Sequence, residues 1–200
     1  MTKPISIQDN DSFARLWLHE ATRVFADRLC TTEDINFFQE LAIEILNQKF
    51  KVKWANKDKL FKQAADGLFS VILRVDSDSR LYEMVEKKAK LLSVLQDKLV
   101  DYNFSSSNKM DLVFFDDAIR HIIGILRILM QPRGNSMLIG VSGSGKQSLT
   151  RLAASILEHV CFQVKLSKNY KPSDFRDSLR DKMLPSGNQA VDTTFILNDT

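Results

Sequence analysis

The stretch "GVSGSGKQSL", Gly140 to Leu149, decides how the second half of this chain is read. Gly140, Gly145 and Lys146 satisfy the spacing GxxxxGK, with Gly143 as an extra glycine. Such a loop needs glycine because its backbone must curl until its N–H groups converge on an anion. A Cβ would block that approach. The flanks fit the same reading. "SMLIG" (136–140) is a short apolar run that predicts a buried parallel strand. "KQSLTRLAASILEH" predicts a helix with Leu149, Leu152, Ala153 and Leu157 facing inward. A glycine loop between strand and helix is the context expected of a phosphate-binding loop, the plain alternative being a Gly/Ser turn. Candidates for nucleotide contact are Gly140, Val141, Ser142, Gly143, Ser144, Gly145, Lys146, Gln147 and Ser148. Lys146 would reach the β- and γ-phosphates, and the helix N-terminus adds partial positive charge.

The next position departs from the pattern. A Ser or Thr after the lysine ordinarily gives its hydroxyl to Mg²⁺. Here Gln147 stands there, with an amide oxygen on a longer stem, and Ser148 lies about 100° further round the helix. The expectation is a weakly held magnesium ion. A second acidic element should end the third strand, in "TFILNDT". If Asn198 takes the metal-binding position, the ligand has lost its charge and Asp199 is a shortened catalytic Glu. If Asp199 takes that position, Thr200 replaces the base. Candidate metal ligands are therefore Gln147, Asn198 and Asp199, with Asp199 the candidate catalytic residue. Either register impairs hydrolysis.

Further out, "CFQVKLS" alternates and predicts a second strand. "KPSDFRDSLRDKM" predicts a helix capped near Ser173 or Asp174, "SGNQAVDT" a loop, and "TFILND" a third strand. Strand–helix–strand–helix–strand implies half of a parallel α/β sheet. Upstream the pattern is helical. One stripe holds Phe13, Leu16, Trp17, Ala21, Val24 and Phe25, its helix capped by Asp11 or Ser12; a second holds Ile35, Phe38, Leu41, Ala42, Ile45 and Leu46. Thr31 with Asp34 resembles a short capping box. A long helix over 78–103, capped by Asp78 or Ser79, would bury Leu81, Val85, Ala89, Leu92, Leu95 and Leu99. "NFSSSNKMD" breaks the periodicity, and "DLVFFDDAIRHIIGILRILM" predicts one more helix, stopped by "QPRGN". The expected organisation is a helical region over 1–104, a linker over 105–110 and a nucleotide-binding region over 111–200.

Composition narrows the function. Hydrophobic residues make up 44% and charged residues 26% of the 200, ordinary values for a globular protein. The net charge of +3 comes from 28 basic and 25 acidic residues, interspersed, which argues against nucleic acid as a partner. "EKKAKLL" (86–92) is the densest basic run and suits a solvated helix face. Cys30 and Cys161 have no metal-ligand spacing and suit free thiols in a reducing compartment. "IIGILRILM" (122–130) is too short to span a bilayer, so no membrane is expected as a partner. These features suggest a cytoplasmic or cytoskeletal protein, and the apolar run just before Thr200 suggests a truncated domain.

"LVFFDDAIRHI", "QPRGNSMLIGVSGSGKQSLTRLAASI", "FQVKLSKNY" and "DFRDSLRD" together resemble the start of the fourth AAA+ module of an axonemal dynein heavy chain. "LWLHEATRVFADRLCTTED" resembles the helical region that closes the third module. The resemblance implies an α/β P-loop NTPase (AAA+) half-domain, truncated, with a parallel sheet, preceded by an all-α helical lid or extension. It implies a piece of a minus-end-directed microtubule motor ATPase of the ciliary and flagellar axoneme. ATP or ADP would be its nucleotide, bound in a regulatory role, and the segment alone would be inactive. Implied partners are the other AAA+ modules in cis, dynein intermediate, light intermediate and light chains, and microtubules through the parent motor. Leu112 and Val113, before the first strand, become candidates for the adenine border, with core packing as the alternative. Two other classes compete: an independent P-loop ATPase or kinase, and an inert structural segment with a relic loop.

Overall fold

The computed structural model of the protein describes residues 10–51, 69–73, 81–164 and 170–198. It forms two compact units, Met1–Leu91 and Leu92–Thr200, each described by itself below.

In the first unit, α1 (Asn10–Phe25) and α2 (Thr32–Ile45) carry the core. Ala14, Leu18, Ala42 and Leu46 form its buried cluster, with Trp17, Phe38, Ile43 and Phe50 packed against it. Phe50 lies in a π-helical turn, Leu46–Phe50, that carries α2 onward, and its ring stands 5.3 Å from Phe13 and 5.7 Å from Trp17. The buried face of α1 differs from the expected stripe. Leu16 and Ala21 are inside, but so are Ala14, Leu18, His19 and Thr22, while Phe13, Val24 and Phe25 are exposed. The polar members of that face are satisfied in place. Thr22 Oγ1 donates to Leu18 O at 2.7 Å. His19 Nε2 lies 3.3 Å from the Tyr82 hydroxyl, and its ring lies 4.8 Å from Phe69. Thr31 caps α2 by accepting the Asp34 N–H at 3.1 Å, and its hydroxyl donates to the Asp34 carboxylate at 2.6 Å. The second bond runs side chain to side chain, so the box closes differently from the standard form.

Two two-residue strands, β1 (Phe69–Ser70) and β2 (Glu83–Met84), pair antiparallel. They displace the expected start of the long helix. That helix, α3, runs Lys88–Ser105. It buries Leu91, Val94 and Leu95, with Leu92 only half-buried and Ala89 exposed. The expected caps at Asp78 and Ser79 fall outside the described residues.

In the second unit, α3 gives way to a loop clamped by one side chain. Asn103 donates to Met110 O at 2.8 Å and accepts the Met110 N–H at 2.7 Å. The next helix, α4 (Asp116–Leu129), buries Ala118, Ile119, Ile122, Ile123, Ile125 and Leu126, and packs against α5 (Lys146–Ile156). Gly134 ends the turn after α4, where a Cβ would stand 1.8 Å from Ile128 O, so no other residue fits. β3 (Val160–Gln163) packs beside α5 and pairs in parallel with β4 (Thr193–Ile196), in the register Val160↔Thr193 to Gln163↔Ile196. The buried Thr194 hydroxyl meets His159 Nδ1 at 3.0 Å. Between the strands, α6 spans Pro172–Gln189, with the Asp174 carboxylate accepting the Lys171 N–H at 2.9 Å. It runs through "SGNQ", which was expected as loop. Phe175 of α6 meets Phe195 edge-on at 6.3 Å, Phe195 pairs with Phe162 across the strands at 5.4 Å, and Lys182 lies 5.1 Å over Phe162.

The parallel sheet has two strands among the described residues, not three. Ser136–Gly140 forms no strand, and Met137 and Ile139 are 86% and 89% exposed. An apolar run becomes a strand only when a neighbour takes up its backbone groups. Here β3 and β4 pair with each other instead. The unit is thus mostly helical, with a small parallel sheet. Among the described residues, four positions outside glycine adopt left-handed backbone at or just after helix ends: Lys51 (φ 54°), Arg133 (59°), in the turn that follows α4, Glu158 (62°) and Ala190 (52°).

Candidate functional site

The loop that precedes α5 has the backbone its glycines predict. Gly143 and Gly145 take φ of 77° and 80°, left-handed values that cost a side-chain-bearing residue about 1–2 kcal/mol. Gly145 is the residue from which α5 starts, and Ser144 N donates back to Val141 O at 3.3 Å, closing the turn. Gly140 answers a different need. A Cβ there would meet Ser144 Oγ at 3.1 Å and Lys146 Nζ at 3.8 Å, so it would crowd the concave side of the loop. Lys146 folds over that side. Its ammonium donates to Gly140 O at 2.6 Å, to Val141 O at 2.7 Å and to Ser144 Oγ at 3.3 Å. The helix's first N–H groups have no intrahelical acceptor, as at any helix start. Two left-handed glycines, a helix N-terminus and a lysine stand together here, the parts from which a phosphate cradle is ordinarily built.

The structure brings the loop helix and the strand end together through a residue that the sequence reading missed. Gln163, the last residue of β3, donates its amide to Gln147 Oε1 at 3.3 Å and to Asn198 Oδ1 at 3.0 Å. Its own Oε1 accepts from the Arg151 guanidinium. Gln147 and Arg151 lie four residues apart on α5 and so share a face. The available signal was a polar side chain in a short strand of a parallel pair, where apolar residues are the rule. Asp199 and Thr200 fall outside the described residues.

Among the described residues, the candidate magnesium donors are uncharged. Gln147 and Asn198 present neutral oxygens, and both already accept from Gln163. Arg151 adds a positive charge to the same network. Among the described residues, no group of three or more His, Cys, Asp or Glu side chains could hold a metal. Leu112 is half-buried and Val113 is 78% exposed, so core packing does not account for Val113. Cys161, on β3, is exposed as a residue, yet burial of its sulfur pushes the thiol above its ordinary pKa, with Arg151 pulling the other way. Among the described residues, no helix is long and apolar enough to cross a membrane.

Residues 110–200 match the family model described as the P-loop containing dynein motor region D4. The chain is a homologue of the axonemal dynein heavy chains along its full length. It is 40% identical over 200 residues to dynein axonemal heavy chain 1 of Mus musculus, covering 100% of this chain and 5% of that protein. It is 38% identical over 197 residues to dynein axonemal heavy chain 6 of Homo sapiens, covering 98% and 5%. It is 35% identical over 187 residues to the dynein-1-beta heavy chain, flagellar inner arm I1 complex, of Chlamydomonas reinhardtii, covering 93% and 4%. The chain thus spans about 5% of the length of these curated relatives.

Proposed function

We propose that this segment supplies the phosphate-binding loop of a regulatory nucleotide site in an axonemal dynein heavy chain, a motor acting on microtubules in cilia and flagella. The α/β P-loop half-domain would lie in 111–200 and the closing helices of the preceding AAA+ module in 1–104. Other AAA+ modules in cis, intermediate and light chains, and microtubules are the partners this reading assigns to the parent motor. ATP or ADP is the ligand, with magnesium weakly held. The observation that carries the proposal is the loop itself: two left-handed glycines, a crowded Gly140, and Lys146 held over the concave side. Binding rests on backbone N–H groups, the helix N-terminus and Lys146. Hydrolysis also needs an oriented water and charge compensation at the strand end. With Asn198 at the metal position the ligand is neutral, and with Asp199 there Thr200 replaces the base, so turnover is slow in either register.

The test is nucleotide retention and single-turnover hydrolysis at this site in the intact parent heavy chain, with the phosphate loops of the other modules disabled. Lys146→Ala removes charge-assisted hydrogen bonds, each about 1.5–3 kcal/mol, and should weaken ADP binding about 10–100-fold. Retention unchanged by Lys146→Ala would remove the loop as the binding site. Turnover near 10 s⁻¹, about the enzyme median, would defeat the claim of slow hydrolysis.

A further inference from the structure

We infer that Gln147 is a phosphate-binding residue of this loop, meeting the nucleotide with its amide N–H groups, and that Arg151 and Gln163 are the positioning residues that turn it that way. The inference rests on the proposed nucleotide site and deepens it by giving Gln147 the part of a donor.

Arg151 fixes the polarity of the network. A guanidinium has donors and no acceptor, so the atom of Gln163 that meets Arg151 is its oxygen. The other end of that carboxamide is then its NH₂ group, 3.3 Å from Gln147 and 3.0 Å from Asn198. An amide NH₂ group only donates, so the atoms of Gln147 and Asn198 that face it are oxygens. Gln147 therefore gives its oxygen to β3. Its own NH₂ group, on the other arm of the same carboxamide, is turned away from Gln163. Among the described residues, none accepts from that group. Gln147 is half-buried in the first turn of α5, directly after Lys146, so what it leaves for a ligand of the loop is a pair of donors. Phosphate oxygens accept, and hydrogen bonds to an ionised acceptor are about twice as strong as neutral ones. With the amide reversed, an oxygen would face the phosphate and repel it. The polarity that Arg151 sets thus decides whether Gln147 attracts or repels the ligand.

Labelled ADP is titrated in millimolar magnesium against the intact parent heavy chain, with the phosphate loops of the other modules disabled. Gln147→Met keeps the length of the side chain and removes its donors, and should weaken binding about tenfold. An unchanged affinity overturns the inference. Gln163→Glu keeps a partner for Arg151 but offers only oxygens, so Gln147 must present its NH₂ group to β3 and its oxygen to the loop. This variant should weaken ADP binding about tenfold beside the original Gln147, and less than about threefold beside Gln147→Met. Affinity held or raised by Gln163→Glu would mean that Gln147 serves a cation with its oxygen, which overturns the inference. Equal losses in the two backgrounds would trace the effect to added charge alone and overturn it as well. Gln147→Ala replaces Gln147→Met in both arms should that variant fail to fold. Absence of ADP binding by the unmodified chain overturns the nucleotide site, and the inference with it; the other outcomes leave that site standing.

Discussion

Ser136–Ile139 and Thr193–Ile196 are two four-residue runs of the same unit, "SMLI" and "TTFI". By side chain, the first is the more apolar, yet the second is the strand. Thr194 and Ile196 are buried, and the backbone pairs with β3 along its length. Met137 and Ile139 are almost wholly exposed, and the run has no ladder. The difference lies in the neighbour and not in the residues. Sheet stability comes from cross-strand pairs such as Phe162 with Phe195, and a run without a partner forms none.

The largest test of this contrast is Leu152→Ala. Leu152 is fully buried on α5, the helix beside β3, so truncation should cost about 2–5 kcal/mol in urea unfolding of the full chain. An unchanged midpoint would mean that the paired region has no consolidated core, and the contrast would collapse. A finer test trims the same methyl group from each run. Ile196→Val should cost about 0.5–1.5 kcal/mol, whereas Ile139→Val should stay within about 0.5 kcal/mol of zero. Equal costs would mean that 136–139 packs as a strand does. The smallest effect concerns Cys161. Its raised pKa keeps the thiolate population low, so iodoacetamide should label it more slowly at pH 8 than a small-molecule thiol. The gap should close as pH rises above the ordinary thiol range. Labelling as fast as the free thiol would show that β3 leaves that sulfur in water.

Helix existence was legible where periodicity ran long: α1, α2, α4 and α5 stand where apolar spacing placed them. Faces were less legible. On α1, polar His19 and Thr22 lie inside because Tyr82 and the Leu18 carbonyl satisfy them, and no local pattern announces such partners. On α3, the pairing of Phe69–Ser70 with Glu83–Met84 shortened the helix, and burial centres on Leu91 instead of Leu92. Strands of two residues are too short to show a period. At the loop, glycine spacing encoded the backbone directly, since few residues other than glycine tolerate φ near 80°. Gln163 was not legible in that way. Its role depends on the register that sets it beside both α5 and the end of β4, and register is a property of the pair of strands.

The four left-handed residues among those described bear on how much damage this chain can absorb. Lys51, Arg133, Glu158 and Ala190 each hold a backbone conformation that glycine adopts at no steric cost. Glycine there would relieve about 1 kcal/mol, partly offset by the greater freedom it gives the unfolded chain. No buried side chain is disturbed in doing so. The sequence therefore lies short of the stability its own backbone permits, and a lineage that weakened the core at one position would have several surface routes back.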